Sequence, residues 1–196
     1  LSPHAKRLMF SSWKGWSDVD YYYDDLTDAD STLRPLYTDM EAITTLIMLD
    51  DRFFIFTNLD APRYRLFSAT YDRPERENWV EVIPQRESIL EEVDVIGGRL
   101  VTKSLRHASS VLEMFTLTGE PIHELPTPDL GTIYGPYGEY DGGELFFYFT
   151  SFNEPGTIYR YDFAGDSTEV WARIDAGVDV SNLEVKQVWY PSKDGT

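Results

Sequence analysis

Cysteine is absent from this 196-residue chain, which excludes disulfides, thiol nucleophiles and cysteine metal sites. No apolar run reaches the roughly 18 residues that a membrane-spanning helix needs, so no membrane partner is expected. The opening residues LSPHAKRL have neither an initiator Met nor the apolar core of a signal peptide. They read as the start of a piece cut from a longer chain, cytoplasmic by expectation, with the periplasm left open. Positive charge is also scarce. The chain has 17 basic residues, 5 Lys and 12 Arg, against 34 acids, 19 Asp and 15 Glu, giving a formal net charge of -17 and a pI near 4.4. Nucleic acid is excluded as a partner because its phosphates would meet a repulsive field instead of a basic footprint. Such an acid surplus suits a surface bathed in high salt, where screening relieves self-repulsion; it suits an ordinary acidic bacterial protein equally well.

What the chain does have is apolar and aromatic residues, at 42% and 15%, enough for a sizeable core and for one domain or part of a larger one. It also resembles itself. After Arg7, Arg52, Arg99 and Glu144 come LMFSSW, FFIFTN, LVTKSL and LFFYFT, at spacings of 45, 47 and 45. A second register, VDYYYDDL, YRLFSATY, SVLEMFTL and TIYRYDF, ends at Leu26, Tyr71, Leu117 and Phe163, at spacings of 45, 46 and 46. Two agreeing registers make a chance repeat improbable.

Each unit supplies four short strands punctuated by turn residues, such as Asp50-Asp51, Gly97-Gly98 and Asp141-Gly142-Gly143. The first unit has three, so its opening strand is missing or lies in LSPHA. Glu87 to Val95 is the nearest candidate for a helix, and alternation suits it at least as well. Four-stranded units recurring about every 40 to 50 residues are the signature of a β-propeller, one unit per blade. A pair of sandwiches does not explain so regular a repeat, and solenoid turns are shorter. The predicted fold is therefore all-β: about four four-stranded blades, the first incomplete, forming a small closed ring or an arc of a larger one. The blades fall at about 1–39, 40–86, 87–130 and 131–180, with strand B of each starting near Leu8, Phe53, Leu100 and Leu145.

Chemistry is sparse. The nucleophile elbow G-x-S-x-G is absent, because Gly15-Trp16-Ser17 and Gly165-Asp166-Ser167 lack the closing glycine. His4, His107 and His123 are scattered in sequence; His123-Glu124 has no second His, and alternation makes His123 a solvent-facing strand residue. Asp28-Ala29-Asp30-Ser31-Thr32 opens like a calcium loop but lacks its Gly and closing Glu, and reads as a hairpin turn. Adjacent acids such as Asp24-Asp25 point to opposite faces of a strand and make a poor glycosidase pair. The aromatic runs Tyr21 to Tyr23 and Phe146 to Tyr148 read as core. No catalytic residue, metal site or cofactor is expected.

Three stretches, TNLDAPRYRL from Thr57 to Leu66, TSFNEPGTIYRYD from Thr150 to Asp162 and EVKQVWYPSKDGT from Glu184 to Thr196, resemble the prolyl oligopeptidase family of serine peptidases. They fall in the order found in the later part of that family's propeller, and the resemblance runs from about Arg7 to Thr196. It implies an arc of a seven-bladed propeller that caps an α/β-hydrolase domain carrying a Ser-Asp-His triad. Residues 181–196 would then lead back to that domain. The departure from the family pattern is that three blades and every catalytic residue are missing, so the chain alone is expected to be inactive.

The same resemblance places the connections between second and third strands, Trp13 to Ser17, Thr57 to Arg63, Leu105 to Ser109 and Thr150 to Pro155, on the face that looks onto the active-site cavity. Trp16, Ser17, Asn58, Asp60, Arg63, Phe152 and Asn153 are the candidates for contact with substrate or the neighbouring domain, Trp16 foremost because an aromatic there could stack on Pro. Self-stabilisation of the turn is the competing reading for Asn58, Asp60 and Arg63. The implied partners are the chain's own hydrolase domain, the missing blades and short proline-containing peptides. Self-association through bare blade faces is also expected, with Phe10, Tyr22, Phe147 and Tyr159 as face residues. Two functional alternatives remain: a stand-alone propeller that binds a partner protein, and the propeller of an oligopeptidase B-like enzyme cleaving after basic residues.

Overall fold

The computed structural model describes residues 1–15, 18–175, 177, 180 and 182–194. β1 (Arg7–Trp13), β2 (Val19–Asp25) and β3 (Arg34–Tyr37) form a three-stranded sheet. Three four-stranded sheets follow: β4 (Thr44–Met48), β5 (Arg52–Thr57), β6 (Arg65–Thr70) and β7 (Val80–Ile83); β8 (Ile89–Ile96), β9 (Arg99–Arg106), β10 (Ser109–Phe115) and β11 (Pro121–Glu124); β12 (Thr132–Tyr137), β13 (Glu144–Thr150), β14 (Thr157–Asp162) and β15 (Ser167–Arg173). Each sheet pairs its strands in chain order and antiparallel throughout. One 3-10 turn, Arg76–Asn78, is the only helical element among the described residues. These are the blades expected from the repeat, and the stretch from Glu87 to Val95 is no helix: it is strand β8 from Ile89 onward. No opening strand forms in the first blade: Leu1 to Ala5 makes a turn closed by Ala5 N donating to Ser2 O at 2.9 Å.

The core is not inside any sheet. It lies in three layers between sheets. Val19, Tyr21, Tyr23 and Tyr37 of the first blade meet Leu46, Phe53 and Ile55 of the second. Phe54, Leu66 and Ile83 of the second meet Val93, Leu100 and Phe115 of the third. Val101, Leu112 and Met114 of the third meet Ile133, Leu145, Phe147 and Tyr161 of the fourth. Successive side chains on a strand point to opposite faces, so a blade with two neighbours needs apolar residues at every position. That is why β5 reads Phe53-Phe54-Ile55-Phe56 without alternation, while β13, in the last blade, alternates buried with half-buried residues.

This periodicity corrects one expectation. Phe147 and Tyr159 do not lie on a bare face; they pair with each other across β13 and β14 and pack against the third blade. The bare face of the last blade carries their neighbours in sequence: Phe146, Tyr148, Ile158 and, on β12 and β15, Tyr134 and Trp171. Phe10 and Tyr22 are placed as expected, paired on the outer face of the first blade.

Candidate functional site

In a four-stranded antiparallel blade, the second strand ends at the end where the first begins and the fourth stops. The second-to-third-strand turns and the connections between blades therefore gather on one face. Backbone and side-chain bonds stitch them together. Lys14, just after β1, reaches Asp20 at 2.7 Å and Asp39 at 3.4 Å. The hydrogen bond from Lys14, with a second from the Asp39 backbone, holds the Asp20 carboxyl below its ordinary pKa. Between the second and third blades, Leu90 N donates to Arg63 O at 3.1 Å; between the third and fourth, Ser110 N donates to Gly131 O at 3.0 Å.

The 58–64 loop is built on a buried hydroxyl chain. Tyr37 Oη, Thr44 Oγ1 and Thr57 Oγ1 lie 2.8 and 2.7 Å apart in series, and Leu59 N donates to Thr57 Oγ1 at 3.1 Å. Asn58 clasps the segment entering β4: its Oδ1 accepts from Ile43 N at 2.8 Å and its N donates to Ile43 O at 3.2 Å. Asp60 takes a left-handed conformation, φ 52°, and its exposed carboxylate accepts from Arg76 at 2.7 Å. Arg63 N donates to Gln85 Oε1 at 2.8 Å, whereas its exposed guanidinium has no ion-pair partner among the described residues. Asn58 and Asp60 thus act within their own blade. Arg63 alone of the three combines a fixed backbone with an uncommitted side chain.

A groove of about 420 Å³ opens between the third and fourth blades, walled by His107, Ser109, Gly131, Thr150, Phe152 and Gln187. Its floor requires glycine at 131: a Cβ there would lie 2.5 Å from both the Phe149 ring and Thr150 O. Phe152 stands at the tip of the β13–β14 turn, 98% exposed, while Asn153 accepts from Ser151 Oγ at 2.6 Å and shapes that turn. The far wall is the segment after the last blade. Gln187 Nε2 donates to His107 O, and the Trp189 ring meets the His107 ring edge-on, with centroids 5.0 Å apart and planes at 86°.

Phe152 and Asn153 therefore share one loop beside the groove, Arg63 lies one blade away, and Trp16 and Ser17 lie outside the described residues. Sequence reasoning missed His107, Gln187 and Trp189. The signal available was the shortness of the 105–109 connection, a two-residue turn that fixes where His107 points. Two other histidines gained partners that sequence spacing hid. His123 is half-buried, with Nε2 3.0 Å from Tyr161 Oη and 3.3 Å from Asp166, so it staples the third blade to the fourth instead of facing solvent. His4 Nδ1 lies 2.8 Å from Asp50 Oδ2, beside Ser2. This trio is not a catalytic triad: Ser2 is buried, accepts from Lys6 N and Arg7 N, and hydrogen-bonds Asp50 instead of the histidine. Among the described residues no group of three potential ligands could hold a metal ion.

The family model for the prolyl oligopeptidase N-terminal β-propeller domain matches residues 1–173. The chain belongs to this family. A prolyl endopeptidase of Elizabethkingia miricola is 28% identical over 197 residues, an alignment covering all of this chain and 28% of that protein; the prolyl endopeptidase of Elizabethkingia meningoseptica is 26% identical with the same coverage. A solved prolyl endopeptidase structure superimposes with a TM-score of 0.89 at 31% identity, over all of this chain and 29% of the other. Prolyl oligopeptidase B from Galerina marginata, at 22% identity and a TM-score of 0.84, shares the fold. The chain thus spans under a third of the length of these relatives, and the part it matches is their propeller.

Proposed function

We propose that this chain is the substrate-gating propeller portion of a proline-specific serine oligopeptidase. Chemistry would be acyl transfer by a Ser-His-Asp triad in an α/β-hydrolase domain, reached through residues 181–196, and the substrates would be short proline-containing peptides. The propeller contributes exclusion: its loop face leaves grooves that admit an extended peptide and bars a folded protein. The observation that carries this reading is the docking of the 185–189 segment on that loop face, since a chain that leaves the last blade there is directed towards whatever sits over it. Phe152, exposed beside the groove, and Arg63, whose guanidinium has no ion-pair partner among the described residues, are side chains available to a peptide or to the covering domain.

The test is a chimera in which this chain replaces the matched segment of the Elizabethkingia miricola enzyme. It should hydrolyse a short chromogenic proline peptide and leave a folded protein intact. Cleavage of both at similar rates, or preference for basic residues over proline, would reject the gating role. This chain alone should neither hydrolyse the peptide nor be labelled by an active-serine phosphonate, and one-to-one labelling of any serine would contradict that.

A further inference from the structure

The β9–β10 turn is the most constrained of the loop-face turns. Arg106 pairs with Ser109, so only His107 and Ala108 connect the strands, and both are left-handed at φ 52° and 59°. Two-residue turns of this kind ordinarily take Asn-Gly, because a Cβ disfavours that conformation. Here two residues with side chains occupy it. The consequence is positional: the His107 ring and carbonyl are presented outward in a fixed direction, and both are used. The carbonyl accepts from Gln187, and the ring meets that of Trp189 edge-to-face. Glycine at 108 would satisfy the turn equally well, but only an aromatic ring at 107 can make an edge-to-face pair with an indole.

We infer that His107 is a positioning residue: it clasps the 185–189 segment to the third blade and thereby sets how far the segment leaving the propeller can swing from the loop face. The inference rests on the proposed peptidase role only for its consequence, not for the clasp itself. A segment held at Gln187 and Trp189 closes the groove beside Phe152 on one side; a released one opens it. In the peptidase, the clasp would favour short substrates by resisting separation of the covering domain from the propeller.

The clasp can be tested on this chain by tryptic cleavage after Lys186, which is exposed and lies inside it, with cleavage after Lys193, beyond it, as internal reference. The variant His107→Asn/Ala108→Gly preserves the turn with its favoured residues and keeps the carbonyl at 107, so folding is retained while the ring contact is lost. An edge-to-face pair is worth a few-fold to about tenfold in a local opening equilibrium. Cleavage after Lys186 should therefore rise about fivefold in this variant and about fivefold in Trp189→Ala. Combining them should again give about fivefold, because both remove one contact. Effects that multiply to about 25-fold, or no change in either, would overturn the clasp. The consequence is read separately in the Elizabethkingia chimera. There His107→Asn/Ala108→Gly should raise the cleavage of long relative to short peptides. An unaltered ratio in an active chimera would refute the positioning role, whereas a chimera inactive even with His107 intact would reject the peptidase reading and leave the proteolysis result standing.

Discussion

Substituting Phe147 and Phe146 one at a time tests which face of the last blade is covered. Phe147 is fully buried, stacked on Tyr159 with centroids 5.3 Å apart and planes at 15°, and belongs to the layer between the third and fourth blades. Phe147→Ala removes the ring from a packed layer and leaves a cavity, at a cost of about 3–5 kcal/mol. About 0.5–1.5 kcal/mol of that is the ring-ring term. Phe146 points the other way, half-buried, its ring edge-on to Trp171 at 5.5 Å. Phe146→Ala leaves no enclosed cavity and loses little beyond that contact, about 0.5–1 kcal/mol. At about 2–4 °C per kcal/mol for a domain of this size, the first variant should melt roughly 6–20 °C lower and the second only about 1–4 °C lower. Near-ultraviolet circular dichroism during a thermal ramp reports both, because aromatic packing gives the signal. Equal losses, or a larger one at Phe146, would mean that the register of β13 is shifted by one residue and every inward and outward assignment in that blade is reversed.

Asn58→Ala should cost about 1 kcal/mol by orphaning Ile43 N, while Asp60→Asn, which suits the left-handed backbone and breaks only an exposed ion pair, should stay within about 0.5 kcal/mol; denaturant titration separates them. Burial works against ionised Asp50, but hydrogen bonds from Ser2, His4 and Lys6 outweigh it and bring its pKa to about 2 from an ordinary 3.8. Because the folded value is the lower one, this stabilisation is complete above about pH 4 and disappears as the pH falls towards 2. Asp50→Asn should flatten the melting temperature over that window, and an unchanged acid limb would show that the carboxylate is not stabilised by its neighbours. Bare aromatic faces on the first and last blades, at about 25 cal/mol per Å² and on the order of 400 Å² each, forgo roughly 10 kcal/mol apiece when left in water. A charge of -17 opposes covering them with a second copy, so sedimentation equilibrium should show self-association that strengthens with salt. A folded monomer at every salt concentration would contradict this.

What the sequence by itself determined is everything that a period can carry. Strand lengths, turn positions and the spacing of Arg7, Arg52, Arg99 and Glu144 repeat because each blade must present the same backbone to its neighbours, so the blade count and the start of each second strand were legible to within a residue. Grouping of the loops on one face followed as well, since antiparallel order alone decides it. Tertiary structure decided what has no period. Whether Phe146 or Phe147 faces the next blade depends on which side is covered, and an alternating strand is equally compatible with either. His123 reads as solvent-facing along its own strand and becomes a staple only because Tyr161 and Asp166 arrive from the next blade, 38 residues on in the case of the tyrosine. His107 and Trp189 are more distant still in the chain. Their contact comes from a turn too short to point anywhere else and from a returning segment without regular secondary structure, and neither leaves a repeating mark in the sequence.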